Sequence, residues 1–219
     1  MAHASPSDAL PEVLPVFPLP STVFFPHTVL PLHVFEPRYR SMVEDALGGD
    51  RLIAVALAQG SDFHAIGTVG RIRACEPLEG GRYNIRLEGL ARVAFTEVPS
   101  TRPYRLVRVE ARPEPAIDEE QPDVARAKLD LLATLGYLRS ELGESGSRAI
   151  VLDERLPLPV AVNIVCAGLP LEPTERQALL EQDDLMARRL VAVERMQQVL
   201  ELVLRHRSED ERDAPDPLN

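Results

Sequence analysis

The segment Arg82–Leu90 alternates between polar and apolar side chains, and no other feature of the 219-residue chain constrains the fold as strongly. A period of two is that of a β-strand with one buried face. Gly89 interrupts the alternation, which predicts a bulge or a bend at that point. The preceding pair Gly80-Gly81 can adopt the positive φ angles of a tight turn. The segment is therefore predicted to be the second strand of an antiparallel hairpin.

Further strand-like segments surround this hairpin at regular intervals. Gly67–Pro77 and Tyr104–Ala111 also alternate, whereas Leu52–Ala58 is continuously apolar, as expected for a strand buried on both faces. One helix interrupts them: it begins at Pro37, which suits a first helical position, and it ends at Gly48. Strands spaced in this way predict a small antiparallel barrel or sandwich.

The second half of the chain is predicted to be helical. Residues 12–113 form the predicted β domain, and the acidic, proline-containing residues 114–121 form the predicted linker. Residues 122–207 are predicted to form a helical bundle, followed by a disordered tail at 208–219. Thr174 and Gln177 are predicted to form a helix capping box. The side chains predicted to face the bundle core are Leu129, Leu132, Leu135 and Leu138 in one helix, and Met186, Leu190, Val193, Met196, Leu200 and Val203 in another.

The net charge of −10 lies entirely in the second half: residues 1–113 carry 12 arginines and 12 carboxylates, whereas residues 114–219 carry 12 basic and 22 acidic side chains. A surface of that sign repels a phosphate backbone and an anionic bilayer. The N-terminal residues lack the basic start and apolar stretch of a secretory signal. Cys75 and Cys166 are predicted to be reduced, with a disulfide between them as the less favoured alternative. We therefore expect a cytoplasmic protein that binds neither nucleic acid nor membrane.

The residues that common catalytic and cofactor sites require are missing from the sequence. Lys128 is the only lysine and follows Ala127 in a predicted helix, so the Gly-Lys-Ser/Thr loop of a P-loop ATPase is absent. The five histidines do not have zinc-binding spacing, and there is no Cys-x-x-Cys motif. His27 and His33 are predicted to be structural, hydrogen-bonded residues. We predict that the chain is not an enzyme and holds no metal or cofactor.

Three segments carry a resemblance to a known family. They are Leu14–Tyr39, which closes with Phe-Glu-Pro-Arg-Tyr, Ile66–Ile72, which contains Gly-Thr-Val-Gly-Arg, and Arg86–Val93, which contains Glu-Gly-Leu-Ala-Arg. In this order and spacing they resemble the N-terminal, substrate-binding domain of Lon-type ATP-dependent proteases in a stand-alone form. The resemblance implies an α+β fold: a PUA-like six-stranded pseudo-barrel with one helix, followed by a C-terminal helical bundle.

The resemblance also implies a non-catalytic binding module, an adaptor in protein quality control. Its expected partners are unfolded or degron-bearing polypeptides and a separate ATP-dependent protease. Five of the ten aromatic residues fall between Phe17 and Tyr39. Neighbours on a strand point to opposite faces, so we expect one of the two adjacent phenylalanines in the core and the other on the surface, unless the two halves of the chain bury it. The candidate peptide-binding residues are Phe24, Phe25, Leu32, Phe35 and Tyr39.

RNA binding is the alternative function, because PUA-like barrels include RNA-binding domains. A cluster of arginines on strands is more often a solvated face with paired carboxylates, so we expect polypeptide rather than RNA to be the partner. Glu36 and Arg38 are expected to stabilise the start of the first helix. The arginines that could line a basic face are Arg71, Arg73, Arg82, Arg86 and Arg92.

Overall fold

A computed structural model describes residues 10–146 and 152–213 of the chain. Within them it contains seven strands and five α-helices, which confirms the predicted α+β class. The strands are β1 (Val13–Leu19), β2 (Val29–Val34), β3 (Leu52–Gln59), β4 (Asp62–Phe63), β5 (Ile66–Leu78), β6 (Arg82–Val98) and β7 (Leu106–Ala111). The helices are α1 (Pro37–Leu47), α2 (Pro122–Gly146), α3 (Leu158–Gly168), α4 (Pro173–Glu181) and α5 (Leu185–Asp213).

Five strands close into a barrel in the order β1-β7-β6-β5-β3, because β1 pairs in parallel with β3 and antiparallel with β7. Strand β2 lies outside this ring and pairs with the first half of β6, while the two-residue strand β4 pairs with the end of β3. The family resemblance implied about six strands, and the sequence pattern did not predict β4. A two-residue strand is too short to show any periodicity.

The predicted hairpin and its bulge are both confirmed. Gly80 and Gly81 connect β5 to β6 with φ angles of 73° and 69°. At the other end of the hairpin, Gly70 pairs with Gly89 but Val69 pairs with Ala91, so one extra residue lies in β6 directly after Gly89. The bend that this bulge introduces lets the long strand β6 pair with β2 through its first half and with β7 through its second.

Strand β3 separates two apolar clusters. Ile53 and Val55 contribute to the cluster that contains Met42 of α1, whereas Ala54 and the residues alternating with it contribute to the other. Residues 52–57 are all buried, which confirms the prediction of a strand covered on both faces. Helix α1 begins at Pro37, as predicted, and buries one side against the first cluster.

The chain forms two compact units. Unit 1 comprises the described residues up to Pro115 together with Pro170–Asp183, and unit 2 comprises Ala116–Leu169 with the described residues from Asp184 onward. Helix α4 therefore belongs to the strand-rich unit, although its sequence pattern placed it in the predicted helical bundle. Its N-cap is Glu172, whose N–H donates to Glu175 Oε2 at 3.3 Å, so the predicted box of Thr174 and Gln177 is wrong by two residues.

Unit 2 confirms part of the predicted core: Leu135 and Leu138 of α2 and Val193 and Met196 of α5 are buried, whereas two other predicted core residues are exposed. Leu129 is exposed, and in the first half of α2 the buried positions are Val124, Ala127 and Leu131 instead. On α5, Leu190 is exposed while Arg188 is buried, donating a hydrogen bond to Asn163 Oδ1 of α3 at 2.7 Å. Helix α5 also continues to Asp213, into the predicted disordered tail, and residues 214–219 lie outside the described residues. The buried residues are Val124, Ala127, Leu131, Leu135 and Leu138 on α2, and Leu185, Arg188, Ala192, Val193 and Met196 on α5.

Candidate functional site

Phe24 and Phe25, two of the five candidate residues, are both buried, with 3% and 0% of their surface exposed. The expectation that one of them reaches the surface is therefore wrong. Its premise was a period-two strand, but the segment formed by residues 20–26, here called the aromatic loop, contains no strand. Without the pleat of a strand, adjacent side chains can turn towards the same interior.

The aromatic loop is held by two of the sequence motifs that carried the family resemblance. Thr68 Oγ1 donates a buried hydrogen bond to the Phe24 carbonyl at 2.6 Å. A Cβ atom at Gly70 would lie 2.7 Å from the Phe24 ring, and one at Gly89 would lie 2.3 Å from the Phe25 carbonyl oxygen. Only glycine permits such close approach. These motif residues therefore form a structural cradle for the loop.

His27 follows this loop in the left-handed conformation, with φ at 63°. Its N–H donates to the Gly89 carbonyl at 2.8 Å, which ties the loop to the bulge of β6. Partial burial of the imidazole lowers the pKa of His27, and the nearby carboxylates of Glu114 and Glu88 act in the opposite direction.

Across residues 10–146 and 152–213, no group of His, Cys, Asp and Glu side chains is arranged to hold a metal ion.

Tyr39, a third candidate, is also buried. Its ring stacks on Phe17 with centroids 4.2 Å apart, and the Arg38 guanidinium lies 4.5 Å from the centroid of the same ring. Burial raises the pKa of Tyr39. Arg38 also pairs with Glu36 at 2.9 Å, so these two charged residues bind each other at the start of α1. Tyr39 therefore offers little surface to a ligand.

The two remaining candidates, Leu32 in β2 and Phe35 directly after it, lie on opposite faces of the extended chain. Leu32 is half-buried against the first apolar cluster, and Phe35, directly after the strand, is 61% exposed. Val29 at the other end of β2 is 64% exposed and is not among the residues predicted from the sequence. Residues 29, 31, 33 and 35 share one side of an extended chain, so the period of two could have identified Val29 as a companion of Phe35.

A shallow groove of about 580 Å³ crosses the outer face of the sheet formed by β2, β6 and β5. His33 Nδ1 lies 2.8 Å from Asn84 Oδ1, and Asn84 Nδ2 donates to Glu76 Oε2 at 3.2 Å. This row of three polar side chains crosses all three strands. The groove is lined by Pro31, Leu32, His33, Ala74, Cys75, Glu76, Asn84, Ile85 and Arg86.

The five arginines that could line a basic face do not all lie exposed and unpaired on the surface. Arg92 is only 2% exposed. Its guanidinium donates to the Leu180 carbonyl at 2.9 Å and pairs with Glu114 at 3.3 Å and with Asp183 at 3.1 Å. Arg73 pairs with Glu88 across the β5–β6 hairpin. The residues left on this face therefore carry mixed charge, with Glu76 and Glu88 among the remaining arginines.

None of the helices in the described residues has the length and apolar character needed to cross a bilayer.

The sequence matches the family described as the ATP-dependent protease La (LON) substrate-binding domain over residues 13–198. It is 32% identical to Lon protease 2 of Myxococcus xanthus over 215 residues, and 30% identical to the Lon protease of Anaeromyxobacter dehalogenans. In both comparisons the match covers 90% of this chain but 24% of the relative, so the chain spans about a quarter of these proteases.

Solved structures have the same fold. The N-terminal domain of a Mycobacterium avium complex Lon protease superposes with a TM-score of 0.66 at 18% identity, covering 84% of this chain and 98% of that domain. A Lon N-terminal domain protein from Xanthomonas campestris gives a TM-score of 0.60 at 23% identity, covering 86% and 97% of the two chains.

Proposed function

Because the chain belongs to the family of ATP-dependent protease La (Lon) substrate-binding domains, we propose that it recognises exposed apolar segments of unfolded or degron-bearing polypeptides. The supporting observation is the surface of β2, where Val29 and Phe35 are each more than half exposed. Large exposed apolar side chains close together form a patch that apolar side chains of an unfolded chain can cover. The polar surface of a folded protein offers few such side chains.

We infer that this recognition proceeds without catalysis by the chain. The ammonium of Lys128, the only lysine, pairs with Glu119 at 2.9 Å, and the second oxygen of Glu119 accepts the Leu158 N–H at 2.5 Å. Lys128 and Glu119 thus stabilise the start of α3, which is a structural role. Delivery of bound clients to a separate ATP-dependent protease is the proposed role of such a module. Cys75 and Cys166 are both reduced, which fits a reducing cytoplasm as its place of action.

Polypeptide is favoured over RNA as the ligand. Burial of Arg92 and the pairing of Arg73 leave a face of mixed charge, and RNA binding depends on unpaired positive charge that releases counterions.

A double variant tests the proposal. Reduced, carboxymethylated α-lactalbumin is a permanently unfolded probe, and fluorescence anisotropy measures its binding to the full chain. Replacing Val29 and Phe35 by serine removes two apolar contacts, so we expect Kd to rise about tenfold or more. Leu129→Ser, at an exposed leucine of unit 2, is the matched control and should leave Kd within about twofold.

Failure to bind the unfolded probe would refute the proposed function, as would an equal loss in the control variant. Single-stranded RNA is titrated in parallel at about 150 mM salt, where tight binding would favour the alternative ligand.

A further inference from the structure

Strand β2 has one paired edge and one free edge among the described residues. It pairs with β6 from Val29 opposite Glu88 to Val34 opposite Tyr83, and with no other described strand. Pro31 lies in the middle of this pairing, opposite Arg86. A proline keeps its place in a paired strand only where its missing N–H would point away from the partner.

The position of Pro31 therefore shows which backbone groups face outward. Because backbone groups alternate between the two edges with a period of two, the amides of Val29 and His33 point to the same outer edge as Pro31. That edge offers the N–H and C=O of Val29 and His33 and the C=O of Pro31. Unpaired groups in this pattern are complementary to another extended backbone.

A second free edge in the same sheet is protected, and β2 is not. The outer edge of β5 beyond Ile72 has no strand partner among the described residues, because its pairing with β3 ends at Arg71. Arg73 forms a bulge there, since Ile72 pairs with Leu87 and Ala74 with Arg86. Glu76 and Pro77 follow. Bulges, charges and prolines are the features that keep sheet edges from pairing with other chains.

On β2, Pro31 is the only feature of that kind. The strand is otherwise flanked by apolar side chains on both faces: Val29 and Phe35 lie on the outer face, and the half-buried Leu30 and Leu32 on the inner face. An added strand would place its alternate side chains beside one or other of these pairs. An apolar segment would therefore find neighbours on both sides.

We propose that the outer edge of β2 binds an extended, apolar-rich polypeptide segment, whose strand-forming residues are uncharged, as an additional antiparallel or parallel strand. This inference rests on the proposed function and specifies how the client binds: main-chain hydrogen bonds provide affinity without reading a sequence, as in other cases of strand addition. Six residues of β2 offer an edge of about 20 Å at roughly 3.3 Å per residue. The mixed charge of Arg86, Glu76 and Glu88 beside it favours neither an acidic nor a basic ligand.

A second copy of this chain is the less suitable occupant. Pairing of β2 with itself around a two-fold axis would bring both copies of Pro31 into the new ladder. Each copy lacks one donor, so the defect counts twice. A client strand encounters it once.

The first experiment uses the ligand backbone as the probe. The full chain is titrated with a fluorescein-labelled heptapeptide of sequence Lys-Val-Thr-Val-Thr-Val-Lys, and with two versions N-methylated either at the three valines or at the two threonines. Strand addition uses one edge of the peptide, so only one methylated set should raise Kd, by about tenfold or more, while the other stays within about twofold. Equal effects of both sets would overturn the proposal.

The second experiment removes one outward N–H from the protein. His33→Pro deletes that donor without touching the edge that faces β6, and His33→Ala removes the same side chain but keeps the donor. We expect Kd for the heptapeptide to rise about tenfold in the proline variant relative to the alanine variant. Circular dichroism checks the fold of both proteins.

The outcomes distinguish the binding of unfolded polypeptide in general from its binding as an added strand. Strand addition would be refuted, and the proposed function left intact, by two results together. Unfolded α-lactalbumin would bind the wild type and His33→Pro equally well, and the heptapeptide would bind equally well whichever set of residues is N-methylated. A wild-type dimer in sedimentation that His33→Pro converts to a monomer would assign the edge to a second copy and also refute the client proposal. If His33→Pro does not fold, the methylated peptides decide the question alone.

Discussion

Phe25 and Phe35 lie ten residues apart in the same aromatic stretch, yet the first has no exposed surface and the second is 61% exposed. The aromatic loop that contains Phe25 is covered by β5 and β6, whose Thr68, Gly70 and Gly89 fit against its backbone and rings. Strand β2, which contains Leu32 and precedes Phe35, is covered on one edge only. Apolar character is common to both regions, so what distinguishes a buried segment from an exposed one here is whether another strand covers it.

The largest expected difference between these regions is in stability. Phe24→Ala and Phe25→Ala each remove a buried ring and leave a cavity, so we expect each to lower the free energy of unfolding by about 3–5 kcal/mol. Phe35→Ala, at the exposed position, should change it by no more than about 0.5 kcal/mol. Urea denaturation of the three variants measures the values. A costly Phe35→Ala, or a harmless Phe25→Ala, would remove the distinction between loop and strand.

A smaller effect is expected where the loop backbone meets the cradle. Thr68→Val keeps the side-chain shape but removes the donor to the Phe24 carbonyl, so a buried acceptor loses its partner at a cost of about 1–3 kcal/mol. Thr22→Val, at a half-buried threonine of the same loop, is the matched control and should stay within about 0.5 kcal/mol of the wild type. The same denaturation assay applies. Equal losses in both variants would show that the hydrogen bond does not anchor the loop.

The smallest expected effect is a pH dependence at His27. Its pKa in the folded chain is lowered from the ordinary value of 6.5, so the unfolded state takes up the proton first as the pH falls. Stability is therefore unaffected above this value and decreases as the pH drops through it towards the folded-state pKa. The decrease is small because the imidazole is partly exposed.

His27→Asn tests this dependence, because asparagine tolerates the positive φ and does not titrate. We expect the difference in unfolding free energy between the two proteins to move in favour of the variant as the pH falls from about 8 to about 5, through the unfolded-state pKa. Parallel pH profiles would show that the imidazole contributes nothing to the acid sensitivity of the loop.

Periodicity predicted much of unit 1. The hairpin turn at Gly80 and Gly81, the bulge after Gly89 and the buried strand β3 all follow from local patterns, because a pleat and a turn impose their requirements on neighbouring residues. In unit 2 the periodicity of α2 and α5 predicted part of their buried faces, including Leu135 and Met196, but not all of it. Leu129 and Leu190 fit the predicted stripes and are exposed, whereas Arg188 is buried by a hydrogen bond to Asn163 that no spacing within α5 could indicate.

For the candidate site, sequence patterns alone located the stretch of chain that contains the exposed apolar surface, Phe17–Tyr39, because its aromatic residues are concentrated there. They could not distinguish its buried residues from its exposed ones. That distinction depends on strands roughly 40 to 60 residues further along the chain, which pair with β2 along one edge and close over the aromatic loop. Local sequence specifies which side chains avoid water and how the backbone extends or turns. Only the packing of distant strands decides which of those side chains find cover, because burial requires a partner surface that the segment itself does not contain.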